Sequence, residues 1–352
     1  MTEYRNILVY AMVNLGDVVL TTSAIALLKE IYPDARITML SRPIVREVIE
    51  RNPVIDDVIL FDYKAKQNSM GRMWAMVREL RARKFDLAIS FDRKLRPALL
   101  CLFAGIPVRV GPSRVFEDKP SRVTWLYTHT VPIAHDLENT LQAETYQEII
   151  RGFTGAQGHG RPVLPAPSTA ECAKAATILS SAGTRHKIGL CVKGTFGLKT
   201  WPKAYFAEVV RALHARYDAA FYLTGAPGDY AYAEEVIDAI GLPVENLCGK
   251  TNLMELAALY AQLDLLVTVD TGGAHIAAVT GVPMVVMFGC TSPRRWHPIS
   301  EHAWAFTSNE PCCPCTYRET ECPSYPQPNC LYHVLPAVVT EACISYLEYD
   351  AE

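Results

Sequence analysis

The sequence has no apolar run of the ~20 residues that a membrane-spanning helix needs, so no such span is expected. It has no G-x-x-x-x-G-K-[ST] motif and no G-x-G-x-x-G after its first strand-like segment. A P-loop ATPase and a standard dinucleotide enzyme are both disfavoured on that ground. It also has little net charge, -3 over 352 residues, which argues against a general nucleic-acid binder. A secretory leader is not expected either. The opening "NILVYAMV" is short, and "NLGD" follows it in place of a small-residue cleavage site. These absences lead to the expectation of a cytoplasmic protein. In that reducing setting the eleven cysteines are not read as a set of structural disulfides.

What is present is an ordinary globular composition, with 50% apolar and 20% charged residues. The length suits two domains. Charge is uneven: residues 1 to 161 hold 22 Lys/Arg against 18 Asp/Glu, and the remainder holds 12 against 19. An N-terminal half that meets an anionic partner would have that bias, and so would ordinary surface variation.

Strand-like and helix-like stretches alternate. "NILVYAMV" leads through "NLGD" into a helical pattern with apolar positions 20, 24, 25, 27, 28 and 31, ended by Pro33. "ARITMLS", "DDVILFD", "DLAISFD" and "VRVG" read as further strands, with "PIVREVIERNP", a basic stretch near 71 to 83 and "RPALLCLFAG" as helices between them. Residues 152 to 170 are rich in Gly and Pro and read as a linker. The alternation then restarts with strands "KIGLCVKG", "AAFYLTG", "LLVTVD" and "PMVVMFG". Both halves thus predict an α/β, doubly wound parallel sheet. Two such domains would leave a cleft at the C-terminal ends of their strands, where ligands of these sheets bind.

Chemistry-bearing residues collect at those strand ends. "VDTGGAH" places Asp270, Thr271, Gly272, Gly273 and His275 where a strand gives way to a helix. Free amides and the helix dipole there favour an anion such as phosphate, and the glycines allow close approach. The same Asp and Thr also suit a plain helix N-cap. "KGTFGLKTWP" offers Gly194, Thr195 and Lys199, the lysine a counter-charge for a leaving diphosphate or a solvated loop residue. In "LTGAPGDYAYAEE", Asp229 can take ribose hydroxyls or cap a helix. In "NLGD", Asp17 is placed as a general base for an acceptor hydroxyl or as a helix-start acid, next to Asn14. Cys312, Cys315, Cys322 and Cys330 form a C-x2-C and two further thiols, with Cys313 to spare, and four thiolates suit a structural zinc or iron. The spacing matches no standard zinc finger, and reduced thiols or a disulfide are the other readings.

Taken in order, "NLGDVVLTTSAIALLKEIYPDARITML", "GTFGLKTWPKAYFAEVVRAL", "LTGAPGDYAYAEE" and "VDTGGAHIAAVTGVPMVVMFGCTSPRRWHP" resemble the ADP-heptose:lipopolysaccharide heptosyltransferases of Gram-negative bacteria, over nearly the whole chain. The resemblance implies a GT-B fold of two Rossmann-like domains: an acceptor domain at 1–165, a donor domain at 166–335, and a C-terminal helix at 336–352 that packs back on the first. It implies inverting transfer of heptose from ADP-heptose, with no cofactor required for catalysis. Asp17 matches the family's proposed base, and Lys199 and Thr195 its phosphate contacts. Asp270, Thr271, Gly272, Gly273 and His275 match its diphosphate and sugar loop. Asp229 stands where the family usually has a glutamate on the ribose. The implied acceptor is a lipid-linked anionic glycan, the lipopolysaccharide inner core, met at the cytoplasmic face of the inner membrane. Asn14, Lys64, Arg93 and Arg114 are candidate acceptor contacts. Some relatives carry a cysteine-bound iron. A protein or secondary-metabolite acceptor, a sugar-nucleotide epimerase and a redox- or metal-sensing nucleotide binder are the rival readings.

Overall fold

Short runs of Val, Ile and Leu form the strands, and the inner strands of each sheet are buried along all or nearly all of their length, as a parallel sheet covered on both faces requires. The structure is a computed structural model that describes residues 3–62, 70–92, 94–114, 121–183, 185–315 and 318–349. The chain divides into two units, Met1–Ala166 and Pro167–Glu352. No helix among the described residues is long and apolar enough to cross a membrane.

The N-terminal unit runs β1 (Asn6–Tyr10), α1 (Leu15–Ile31), β2 (Arg36–Ser41), α2 (Arg46–Ile49), β3 (Asp57–Leu60), α3 (Met70–Arg83), β4 (Leu87–Ser90), α4 (Leu95–Phe103), β5 (Val108–Pro112), β6 (His129–Val131) and α5 (Gln142–Thr154). Its six strands lie in the order β3-β2-β1-β4-β5-β6, all parallel. The order reverses between β1 and β4, and that point is where doubly wound sheets hold ligands. "PIVREVIERNP" makes a 3-10 turn and the one-turn α2, less helix than its pattern predicts. The elements β6 and α5 are additions of the structure to the expected alternation. Helix α5 buries Tyr146, Ile149 and Ile150 and packs on α1.

The hydroxyls of "TTS" are buried on α1, where each donates to the carbonyl three residues before it at 2.6–2.7 Å. Thr22 Oγ1 then accepts the Val163 amide at 2.8 Å, and Asn52 donates to the Val163 carbonyl at 2.8 Å. The Gly160 amide donates to Gln147 at 2.7 Å, and a Cβ on Gly160 would lie 2.0 Å from the Ser23 carbonyl oxygen. The Gly- and Pro-rich stretch is therefore laid along α1 and bound there.

The C-terminal unit runs α6 (Thr169–Leu179), β7 (His186–Cys191), α7 (Lys203–Arg216), β8 (Ala219–Leu223), α8 (Tyr230–Ile240), β9 (Val244–Asn246), α9 (Leu253–Tyr260), β10 (Leu265–Val269), α10 (Gly272–Thr280), β11 (Met284–Met287), α11 (Pro293–Trp296), β12 (Ala303–Phe306), α12 (Asn329–Tyr332) and α13 (Pro336–Tyr349). Its strand order is β12-β11-β10-β7-β8-β9, again all parallel. The reversal falls between β7 and β10. Val339, Ala342, Cys343 and Leu347 of α13 join the apolar core of the C-terminal unit with Ile188, Leu190 and Val267, because its apolar face is completed there.

Candidate functional site

The C-terminal sheet brings its functional side chains to the β7–β10 switch point. Leaving β10, the chain turns at Asp270 and Thr271 into α10. Thr271 is the N-cap, and its Oγ1 accepts the Gly273 amide at 2.9 Å. The Ala274 amide turns back to the Thr271 carbonyl at 3.2 Å, and the first turn carries the positive end of the helix dipole. Of the two roles foreseen for "DTGG", the cap is formed.

Asp270 is buried, and its Oδ2 receives the Lys199 ammonium at 2.6 Å and the Thr291 hydroxyl at 2.6 Å. Lys199 comes from the loop after β7, in a 3-10 turn over Gly197–Lys199. That turn is tight. A Cβ on Gly194 would meet Lys199 Cβ at 2.4 Å and its carbonyl oxygen at 2.5 Å, so only glycine fits. A Cβ on Gly289 would lie 2.3 Å from the Leu198 carbonyl oxygen, so the β11 loop closes on the same turn. Thr195 is exposed and makes no hydrogen bond among the described residues.

His275 is buried on α10, and its Nδ1 has no hydrogen-bond partner among the described residues. Burial lowers its pKa to about 4. The Asp270 carboxylate opposes that shift, and Lys199 and His297 add to it. At neutral pH the ring is uncharged beside a charged pair.

Asp229 opens α8. Its Oδ2 accepts the Ala226 amide at 3.0 Å, and its Oδ1 pairs with Lys193 Nζ at 3.2 Å. Asp229 thus closes the 3-10 turn Pro227–Asp229 and makes no side-chain cap bond to α8. Lys193 and Thr291 are site residues that the motif reading missed. Both stand just past strand ends, so the rule that found Asp270 would have flagged them.

In the N-terminal unit, Asp17 lies in the first turn of α1 and its Oδ1 accepts the Tyr146 hydroxyl at 2.9 Å. Tyr146 is buried on α5 and packs against Phe91, ring centroids 5.4 Å apart. Asp92 lies buried after β4, the neighbour of β1, with its carboxylate 3.5 Å from Lys94 Nζ. Asn14 is the exposed N-cap of α1 and makes no side-chain capping bond. Arg114 spends its guanidinium on the backbone, donating to the carbonyls of Ile133 at 2.7 Å and His135 at 2.9 Å. Those bonds brace the loop after β6. Lys64 and Arg93 lie outside the described residues.

The four thiols grouped by sequence are not assembled. Cys330 is buried on α12 in the apolar core, against which Cys313 packs. Cys312 is exposed, and Cys322 Sγ lies 3.7 Å from Ser324 Oγ. The Cys315 amide donates to the Cys290 carbonyl at 3.1 Å. Among the described residues no three His, Cys, Asp or Glu side chains are grouped to hold a metal ion. The zinc or iron set is corrected accordingly. The reason is that α12 uses Cys330 as a small apolar residue, and spacing along an irregular segment does not fix spatial proximity. The segment instead braces the Lys199 turn, through Glu319 Oε1 accepting the Gly197 amide at 2.5 Å.

Comparison with known proteins agrees with this geometry. The profile of glycosyltransferase family 9 (heptosyltransferase) matches residues 73–325. Lipopolysaccharide heptosyltransferase 3 of Escherichia coli is 28% identical, over 94% of this chain and 96% of its own. A family 9 glycosyl transferase from Veillonella parvula superposes with a TM-score of 0.85 at 23% identity, over 99% of both chains. The ADP-heptose lps heptosyltransferase II of E. coli does so at 0.79 and 23%, over 99% of this chain and 100% of that one. The fold is GT-B, two six-stranded Rossmann-like units. With a profile match over most of its length and a strand-end site of the kind just described, the chain belongs to glycosyltransferase family 9, the heptosyltransferases, and is a glycosyltransferase.

Proposed function

We propose that the protein transfers a heptose from ADP-heptose to a hydroxyl of an anionic glycan acceptor, the lipopolysaccharide inner core, with inversion at the anomeric carbon. The observation that carries this reading is the Lys199–Asp270 pair beside the glycine turn of α10, at the switch point of the C-terminal sheet. A diphosphate there meets an ammonium, helix N-terminal amides and the Thr195 hydroxyl. Asp229 takes the ribose. The His275 ring, neutral and lacking a partner for Nδ1, is suited to a hydrogen bond with the donor sugar.

Asp17 serves as the base. It removes the proton of the acceptor hydroxyl as that oxygen attacks the anomeric carbon from the face opposite the nucleotide. The bond to the diphosphate oxygen breaks, and Lys199, Thr195 and the α10 terminus stabilise the departing ADP. Tyr146, donating to Asp17, orients the carboxylate. None of these steps calls on a metal or cofactor, and the Cys-rich segment acts as a brace for the Lys199 turn.

Isothermal titration with ADP, UDP and GDP tests the donor half, on the wild-type protein, Lys199→Ala and Asp270→Ala. The expected result is ADP binding that is lost in both variants while they melt as folded proteins. A preference for UDP or GDP would sink the heptose donor.

A further inference from the structure

In the proposed donor complex Asp229 takes the ribose and the α10 turn takes the diphosphate, and the role assigned to Lys193 rests on that reading. Asp229 is already engaged in the unliganded chain. Oδ2 takes the Ala226 amide at 3.0 Å, and Oδ1 is held by Lys193 Nζ at 3.2 Å. Lys193 stands two residues past the end of β7. The β7–β10 register sets Cys191 beside Thr268. β10 ends at Val269, so Lys193 and Asp270 both leave the C-terminal ends of these two paired strands. On the other side, β7 pairs with β8, and the Lys193 side chain reaches the loop after β8 to meet Asp229. Lys193 therefore stands between the ribose acid and the diphosphate turn.

Its ammonium has three donors on a flexible stem, and it lies 5.7 Å from the Tyr232 ring centroid. The pair is part-exposed, at 35% and 26% of the two side chains, so water screens it and little opposes its opening. A diphosphate is a stronger partner for a lysine than one carboxylate that already holds an amide.

We propose that Lys193 is an exchange residue for donor recognition. In the empty protein it neutralises Asp229. When a nucleoside diphosphate binds, the ammonium turns to the diphosphate oxygens, and Asp229 Oδ1 is released to accept from a ribose hydroxyl. Phosphate charge thereby unlocks ribose recognition. The site rejects free nucleosides by more than the lost phosphate contacts alone.

The test measures ADP by isothermal titration and adenosine by saturation-transfer NMR, which reads weak binding. The proteins are the wild type, Lys193→Met, Asp229→Asn and Lys199→Ala. Lys193→Met is expected to weaken ADP about tenfold or more, the effect of losing one charge-assisted hydrogen bond, and to strengthen adenosine, because Asp229 is freed. Asp229→Asn is expected to weaken both ligands. A Lys193→Met protein that leaves ADP unchanged, or that weakens both ligands alike, overturns the exchange and leaves Lys193 a structural residue. If ADP binding is strong and lost in Lys199→Ala, such a result removes this inference alone. A wild-type protein that binds no nucleoside diphosphate removes the donor reading and the exchange together.

Discussion

The two units share a topology, and the residues at their switch points are chemically opposite. At the β7–β10 point of the C-terminal unit there are a lysine, helix amides and close-packed glycines, and the acid Asp270 is already paired. At the β1–β4 point of the N-terminal unit there are two carboxylates, Asp17 and Asp92, with Asp17 held by a tyrosine hydroxyl. On the proposed reading, one mouth receives negative charge and the other a proton. The same scaffold carries both because strand order fixes only where a ligand sits, and the two or three residues after each strand fix what it is.

The sharpest way to break this comparison is Asp17→Asn. It keeps the side-chain shape and a partner for Tyr146 while removing the base. Transfer should fall by about 10²- to 10⁴-fold, with ADP affinity unchanged. Steady-state kinetics on a glycan acceptor and nucleotide titration of the same sample read the two halves separately. A loss of ADP binding would mean that the two mouths do not divide the chemistry in this way.

How far this division was legible depended on where the signal lay. Strands β1, β4, β8, β10 and β11 are apolar runs, and a run followed by glycine and an acid is readable without a structure. That pattern located Asp17, Asp229, Asp270, Thr271 and Lys199. It was silent on Tyr146, although Ala143, Tyr146, Ile149, Ile150 and Phe153 recur at helical spacing on α5, because the pattern looked only at strand ends. It was silent on the carbonyls that Arg114 donates to, since a surface arginine and one bracing the backbone look alike in sequence. It misgrouped the thiols for the same reason. Cys330 next to Leu331 belongs to a core helix, and nothing in its spacing from Cys312 says so.

A smaller effect separates the two mouths by pH. His275 is buried and its pKa is lowered from 6.5 to about 4, so the folded protein resists protonating it. The unfolded chain takes up the proton near pH 6.5. Stability from this group is therefore complete above that pH, is lost as pH falls toward 4, and does not fall further below it. The loss reaches about 3 kcal/mol by linkage. Denaturant melts between pH 7 and 4 should show it in the wild type, with the slope reduced in His275→Asn. An unchanged slope would mean that His275 protonates in the folded state as freely as in the unfolded one.

The smallest effect asks whether close packing at the C-terminal mouth serves the lysine. Gly194→Ala forces a methyl to within 2.4 Å of Lys199 Cβ and 2.5 Å of its carbonyl oxygen, so the turn must shift. Overpacking of this kind costs about 1 to 3 kcal/mol. Because the shift falls on the residue that pairs with Asp270, ADP affinity should drop along with the melting temperature. Gly105→Ala is the control in the other unit. It adds strain at a φ of +76° with nothing within 4 Å of the new methyl, so it should lower stability and leave ADP binding intact. Equal losses of nucleotide affinity in the two variants would show that general destabilisation, and not the position of Lys199, sets binding at the C-terminal mouth.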